Sequence, residues 1–269
     1  MTSSLLRWFS GLSLLLWGLS CSAADLPFDH SHPQLDRVLK QFVNDGLVNY
    51  SALQKDPKAL RDYLGQIAAV GENQFNQWNQ SQQLALLINL YNAATLDLIV
   101  RHYPIASIKK IGSLLKGPWD QPVVNLFGKT ITLNHLEHEV LRKKYNEPRI
   151  HFAIVCASLG CPPLRAEAYT ADALEAQLAD QARTFLNTKA KNRVDLQKRV
   201  VFLSPIFKWF AEDFENQTVL KFIAPYYPAD VQEKLRKGGF KIRYTDYDWA
   251  LNDASRQNAN LRTSALPLH

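Results

Sequence analysis

One long segment, Ser81 to His102, constrains the fold more than any other part of this sequence. Its apolar residues recur at helical spacing and cover nearly the whole circumference of the helix that they predict. A helix that is apolar on every side has to be buried, so we expect it at the centre of the molecule. Asn89 and Asn92 lie on one face of it, and buried amides need hydrogen-bond partners. They are predicted to be structural clips or site residues.

Shorter elements surround this segment. Helical spacing predicts further helices near residues 35–42, 60–67, 135–145 and 171–186, and the pair Ser204-Pro205 is typical of another helix start. A β-hairpin is predicted over 123–131, with short strands over 199–203 and 240–244. Because helices and strands follow one another in mixed order, we expect an α+β fold: a single, mostly helical domain around a small antiparallel or mixed sheet.

The first residues have the pattern of an export signal. Arg7 precedes an apolar run, Trp8 to Leu19, that is too short for a comfortable membrane span, and Ser22-Ala23-Ala24 fits a cleavage site. We therefore predict a signal peptide over residues 1–24, one domain over 25–252 and a flexible tail over 253–269. The mature protein is expected to be periplasmic or secreted, without a transmembrane span.

A lipid anchor on Cys21 is the alternative to this cleavage. We favour the unanchored form, because Gly18 stands where a lipoprotein signal normally has a branched apolar residue. The formal charge of +6 comes from basic residues that are scattered among acids. The densest basic run, Arg142 to Lys144, lies beside Glu137 and Glu139 and so indicates a solvated helix face. No nucleic-acid partner is expected.

The segment around Cys156 is the best candidate for chemistry. The apolar run Ile150 to Val155 predicts a short strand that carries Cys156 to a sheet edge, followed by a turn over 157–160. A helix that begins near Ser158, or after Pro163, would aim its N–H groups at a thiolate and an oxyanion. In an oxidising compartment, however, Cys156 could equally form a disulfide with Cys161.

A thiol nucleophile needs a base within hydrogen-bond reach. Among the seven histidines we prefer His138, whose neighbour Glu137 points about 100° away on the same helix yet can border the same cleft. His151 precedes Cys156 by five residues, which in a strand places the two side chains on opposite faces and about 16 Å apart. The spacing of His135, His138 and the cysteines fits no common zinc signature, so no metal or other cofactor is expected.

Five segments together resemble the domain of unknown function 547 family, over about residues 42–252. They are L-L-I-N-L-Y-N-A-A-T (86–95), L-N-H-L-E-H-E-V-L-R (133–142), P-R-I-H-F-A-I-V-C-A-S-L-G-C-P-P (148–163), L-S-P-I-F-K-W-F-A-E-D-F (203–214) and Y-D-W-A-L-N (247–252). The resemblance implies an exported bacterial protein of papain-like or transglutaminase-like type. Since the histidine precedes the cysteine here, opposite to the usual papain order, the fold would have to be permuted.

Site roles follow from the same resemblance. It implies Cys156 as nucleophile, His138 as base, and Glu137 or Asn92 as the orienting or polar group. It also implies that Arg149, His151 and Arg165 line the cleft and hold an anionic group of the substrate.

Two functions are therefore open. The leading hypothesis is a cysteine-dependent hydrolase or acyltransferase that acts on an amide or thioester bond of a peptide or small molecule, with backbone N–H groups after Cys156 as oxyanion donors. The alternative is a non-catalytic binding or scaffold domain with a Cys156–Cys161 disulfide and a buried polar network of Asn89, Asn92, Glu137 and His138. A thiol–disulfide exchanger is less favoured because the sequence has no C-x-x-C motif.

Overall fold

A computed structural model describes residues 28–113, 115–214 and 218–255 of the chain. The predicted signal peptide over 1–24, with Cys21 in it, and residues 256–269 of the predicted tail lie outside the described residues. The α-helices are α1 Pro33–Phe42, α2 Tyr50–Lys55, α3 Lys58–Ala68, α4 Glu72–Asn76, α5 Gln80–His102, α6 Arg142–Lys144, α7 Ile150–Ala153, α8 Leu174–Leu186, α9 Ile206–Trp209, α10 Val219–Ile223 and α11 Ala229–Lys237. A π-helix, His135–Leu141, runs directly into α6.

Seven short strands form three small sheets within the described residues. They are β1 Val43–Asn44, β2 Leu47–Val48, β3 Pro122–Leu126, β4 Lys129–Thr132, β5 Arg193–Asp195, β6 Val200–Leu203 and β7 Lys241–Tyr244. The pairs β1–β2 and β3–β4 are antiparallel, whereas β6 pairs antiparallel with β5 and parallel with β7. The predicted α+β class is confirmed.

Helix α5 lies at the centre, as its sequence predicts. A capping box begins it: Gln82 N–H donates to the Asn79 side chain at 2.9 Å, and Asn79 N–H donates to the Gln82 side chain at 3.0 Å. Every residue from Leu84 to Val100 is buried. By length and composition this helix could cross a bilayer, but 94% of its apolar window is buried inside the protein. That burial is what a core helix shows.

Two apolar clusters meet beside the cysteine segment. One surrounds α5 and includes Val155 and Cys161. The other is rich in aromatic rings, among them Phe152 and Phe207, with Phe210 and Tyr247 packed at its edge. The boundary between the clusters is where the molecule opens into a cleft, because side chains from both line it.

The predicted strand over 150–155 is wrong. Residues Ile150–Ala153 form the one-turn helix α7, and the chain becomes extended only at Ile154. A short apolar run can be a strand or a buried helical turn, and here helical bonds such as Ile154 N–H to the Ile150 carbonyl form. The expected helix near Ser158 or Pro163 is also absent, since the next helix in this described stretch is α8, which begins at Leu174.

Candidate active site

The cleft, with a volume of about 160 Å³, contains the groups that could carry chemistry. Cys156, Glu137, His138 and His151 all line it. Aromatic side chains supply much of the remaining wall. They are Tyr91, Trp119, Trp209, Phe210, Tyr247 and Trp249. A cleft of this kind, apolar with a few convergent polar groups, is typical of a small-molecule or active site.

Cys156 and Cys161 are joined by a disulfide, with 6.2 Å between their Cα atoms. Cys156 is half-buried and faces the cleft, whereas Cys161 is buried. The Cys156 amide donates to Cys161 Sγ at 2.8 Å. The predicted pairing of the two sulfurs is therefore present, and in this state Cys156 has no free thiol.

The amide of Asn92 holds the cysteine segment against α5. Its Nδ2 donates to the Ala153 carbonyl at 2.9 Å, and its Oδ1 accepts from Val155 N–H at 3.0 Å. Asn89 makes the corresponding pair of bonds to the backbone of Tyr169, at 2.7 and 3.0 Å. Both amides thus have structural roles, since each joins α5 to the backbone of another segment. Of the two, it is Asn92 that fixes the residues directly before Cys156.

Two hydroxyl groups lie against the Cys156 sulfur. Tyr247 Oη is 2.9 Å away and Ser158 Oγ 3.2 Å away. The segment that carries Tyr247 is paired with the turn after Cys156, because Leu159 and Gly160 N–H donate to the carbonyls of Ala250 and Asp248. Hydroxyl donors at this distance would stabilise a negative charge on the sulfur after reduction.

His151 is bound to a carboxylate that sequence reasoning missed. Its Nε2 is 2.5 Å from Oδ2 of Asp213, and its ring stacks on Phe210 at a centroid distance of 4.0 Å. Burial alone would raise the pKa of Asp213, but hydrogen bonds from His151 and Arg142 hold that pKa well below its usual range. Burial lowers the pKa of His151 despite the attraction of Asp213. The pair is thus a carboxylate and a neutral imidazole, whose Nε2–H donates.

His138 has a different partner. Nη1 of Arg142 lies 2.7 Å from its Nδ1, and a guanidinium group can only donate. Nδ1 therefore accepts, and the proton of the neutral ring is on Nε2. Burial and the charge of Arg142 lower the pKa of His138. Within the described residues no hydrogen bond joins His138 to Cys156, so the structure places the preferred base in the cleft without linking it to the sulfur.

Glu137 is buried in the same wall and accepts a hydrogen bond from Tyr91 Oη at 2.9 Å. Burial raises its pKa to about 7, against the opposing effects of Tyr91 and Arg142. Glu137 and His138 both face the cleft, although the helix that carries them is a π-helix and not the expected α-helix. Thr132 caps it by accepting from His135 N–H at 3.0 Å.

Arg149 and Arg165 do not line the cleft. Arg149 forms ion pairs with Glu147 and Glu175. Arg165 forms ion pairs with Asp180, at 2.6 Å, and with Glu167. Their charges are neutralised by these partners, so the structure does not bring either arginine to the position expected for holding an anionic group. The resemblance implied that both arginines line the cleft, whereas carboxylates on other segments hold them outside it.

The site residues that sequence reasoning missed come from distant segments. Asp213 lies 62 residues after His151, and Tyr247 lies 91 residues after Cys156. Both fall inside segments that carry the family resemblance, which was the one available signal. Among the described residues, no group of three or more His, Cys, Asp or Glu side chains is placed to hold a metal ion.

Comparisons with known proteins found one family match and one curated relative, each over part of the chain. Over 94 residues it is 34% identical to beta-apo-4'-carotenal oxygenase of Neurospora crassa, a match that covers 35% of this chain and 15% of that protein. No solved structure matches the chain. Residues 75–186 match the model of the family described as "Protein of unknown function, DUF547". This region includes Cys156, Cys161 and both cleft histidines but not Asp213 or Tyr247. The resemblance to the domain of unknown function 547 family is therefore confirmed over that region.

Proposed function

We propose that the cleft is the active site of an exported cysteine-dependent hydrolase or acyltransferase, which acts on an amide or thioester bond when the Cys156–Cys161 disulfide is reduced. One observation carries the proposal: Cys156 and His151 line the same cleft, and His151 is hydrogen-bonded to Asp213. A nucleophile, a neutral base and a carboxylate that orients the base are the parts that thiol catalysis needs.

His151 is the base in this proposal, in place of His138. Its Nε2–H is donated to Asp213, so Nδ1 holds a lone pair that can accept a proton, with no hydrogen bond to it from the described residues. The lone pair of His138 Nδ1 is already taken by Arg142. In a strand His151 would lie about 16 Å from Cys156. The short helix α7 removes this objection, because a helical turn rises about 1.5 Å per residue and not the 3.3 Å of a strand.

The chemistry proceeds in three steps. A thiol reductant, such as a dithiol protein, first breaks the S–S bond; it supplies two electrons and two protons and is itself oxidised to a disulfide. The Cys156 thiol then gives its proton to His151 while its sulfur bonds to the substrate carbonyl carbon. The C–N or C–S bond of the substrate breaks, and the leaving group takes that proton from His151. Water, or an acceptor nucleophile, finally gives a proton to His151 and attacks the acyl carbon. The C–S bond to Cys156 breaks, the acyl product leaves, and the proton passes from His151 to the Cys156 sulfur.

The wall of the cleft supports a peptide or small-molecule substrate with an apolar group. Trp209 is 48% exposed, and its ring lies 4.8 Å from Tyr247 and 5.9 Å from Trp249 between centroids. A papain-like or transglutaminase-like origin with permuted order belongs to the proposal as well. The set Cys156, His151 and Asp213 supports this origin. The order is permuted because His151, like His138, precedes the cysteine in the chain.

The disulfide itself favours a second candidate, a non-catalytic binding or scaffold domain. In that case Cys156 and Cys161 stabilise the turn, and the bonds of Glu137 and His138 are a buried polar network. The two candidates differ in the reactivity of Cys156 after reduction: a nucleophile reacts fast near neutral pH, whereas a structural thiol reacts no faster than an ordinary one.

Alkylation of Cys156 by iodoacetamide, read by mass spectrometry against pH, tests the proposal. The protein carries Cys161→Ser, so that Cys156 is free without reductant. We expect alkylation at pH 7 at least about tenfold faster than that of an ordinary thiol, because a thiol pKa lower by one unit gives about ten times more thiolate. Replacing His151 or Asp213, as His151→Gln or Asp213→Asn, should remove that advantage.

His135→Gln is the matched control, because His135 is an exposed histidine on the neighbouring π-helix. Its alkylation rate should equal that of the parent. If the parent itself reacts no faster than an ordinary thiol across the pH range, while circular dichroism shows it folded, the scaffold function replaces the enzyme.

A further inference from the structure

Arg142 organises both histidines of the cleft. Its Nε and Nη2 donate to Asp213 at 2.6 and 2.9 Å, and its Nη1 donates to His138 Nδ1 at 2.7 Å. Asp213 in turn accepts from His151 Nε2. The imidazole rings of His138 and His151 lie 6.1 and 4.0 Å from the ring of Phe210 between centroids. One guanidinium group therefore connects two histidines that face the same cleft.

These contacts leave opposite groups free on the two rings. The ring nitrogen of His151 without a bond to Asp213 is Nδ1, which holds a lone pair. The ring nitrogen of His138 without a bond to Arg142 is Nε2, which holds a proton and has no hydrogen-bond partner in the described part of the chain. One histidine can thus accept a proton, and the other can donate a hydrogen bond.

Part of the backbone after Cys156 is engaged elsewhere and cannot act as an oxyanion donor. No described helix begins there, and three N–H groups of the turn have partners: Leu159 with Ala250, Gly160 with Asp248 and Cys161 with Ser158. In this turn that leaves the N–H groups of Ala157 and Ser158. A thiol attack on a carbonyl needs a donor for the developing oxyanion. A side-chain donor that faces the cleft would meet this need.

We propose that His138 is that donor: Nε2–H of its neutral ring hydrogen-bonds to the oxyanion that forms when Cys156 attacks a carbonyl. The inference rests on the proposed function and assigns a second catalytic histidine to it. As the sulfur bonds to the carbonyl carbon, the C=O electron pair moves to oxygen, and His138 keeps its proton while stabilising that charge. When the leaving group departs, the electron pair returns and the hydrogen bond weakens. Arg142 is a positioning residue that fixes the ring and its tautomer.

The tautomer can be measured without any substrate. Long-range ¹⁵N–¹H NMR correlation of histidine-labelled protein near pH 7 is expected to show His138 neutral and protonated on Nε2. In Arg142→Gln the signal should move toward a mixture of tautomers, while the exposed His135 stays unchanged. A wild-type His138 that carries its proton on Nδ1, or on both nitrogens, overturns the inference.

Donation to an oxyanion is tested with an aldehyde, N-acetylphenylalaninal, which forms a tetrahedral hemithioacetal with a free thiolate. In the Cys161→Ser protein, His138→Phe removes the donor and His138→Gln keeps an N–H. Loss of one oxyanion donor costs about 10²–10³ in rate, so we expect His138→Phe to weaken aldehyde binding by at least tenfold and His138→Gln by less.

The two readouts separate the hypotheses. Slow alkylation of the parent contradicts the proposed function. Fast alkylation together with equal aldehyde affinity in His138→Phe and the parent contradicts only the role of His138. If the parent does not bind this aldehyde, the NMR tautomer alone decides the inference.

Discussion

Glu137 should make the stability of the protein fall as pH rises. In the unfolded chain its carboxyl loses its proton near pH 4.5, whereas burial keeps the folded group protonated up to about pH 7. Between these values the unfolded state binds fewer protons than the folded state, so the free energy of unfolding decreases with rising pH. Above pH 7 both states are ionised and the loss is complete.

The magnitude follows from the same two pKa values. One pKa unit corresponds to about 1.4 kcal/mol, so the difference between 4.5 and about 7 is worth about 3 kcal/mol. Glu137→Gln removes the ionisation and keeps an oxygen that can accept from Tyr91. The variant should therefore gain up to about 3 kcal/mol relative to the parent between pH 4.5 and pH 8.

Urea unfolding of the disulfide-bonded protein at the two pH values measures this effect. Because every other titrating group is common to both proteins, its contribution cancels in the comparison. The matched control is Glu139→Gln two residues away, where an exposed carboxylate pairs with Lys143, and only a small change is expected there. If Glu137→Gln changes stability equally at pH 4.5 and pH 8, the buried carboxyl is not protonated in the folded state and the reasoning fails.

Two further predictions concern the backbone around the disulfide. Asn92→Ala leaves two buried backbone groups unpaired and should lower the free energy of unfolding by about 2–4 kcal/mol in urea. Asn89→Ala should lower the free energy of unfolding as much but leave the rate of disulfide reduction by dithiothreitol unchanged, whereas Asn92→Ala should alter that rate. Equal reduction rates in the two variants would contradict the assignment of Asn92 as the residue that fixes the backbone before Cys156. Gly160→Ala places a Cβ 2.8 Å from the Asp248 amide nitrogen and should lower the melting temperature. Gly65→Ala in helix α3 is the control: no atom lies within 4 Å of the added Cβ, so this variant should raise the free energy of unfolding by about 0.5–1 kcal/mol. A melting temperature unchanged by Gly160→Ala would refute the close contact between Gly160 and Asp248.

Features set by short-range pattern could be predicted from the sequence. The apolar circumference of Ser81 to His102 required a central helix, and the polar pair Asn89 and Asn92 on it required partners. The five-residue spacing of Cys156 and Cys161 was compatible with the disulfide that is present. In each case the information lies within one element or one turn.

The failures have physical causes of two kinds. The run from Ile150 to Val155 is apolar apart from His151, so its pattern carries no period that separates a strand from a buried helical turn. The tertiary setting therefore decides between them. The family resemblance implied that Arg149 and Arg165 line the cleft, but it carried no information on their ion-pair partners. Carboxylates such as Glu175 and Asp180, on helix α8, hold them elsewhere.

The roles of the two histidines could not have been read from the sequence, because they are set by a contact between distant segments. As residues, His138 and His151 are equally able to be a base. What distinguishes them is that Arg142 and Asp213, 71 positions apart, form a bidentate pair with one histidine at each end. The histidine on the arginine side loses its lone pair, and the histidine on the carboxylate side keeps one. Breaking this ion pair should therefore affect both histidines at once, which two independent residues would not show.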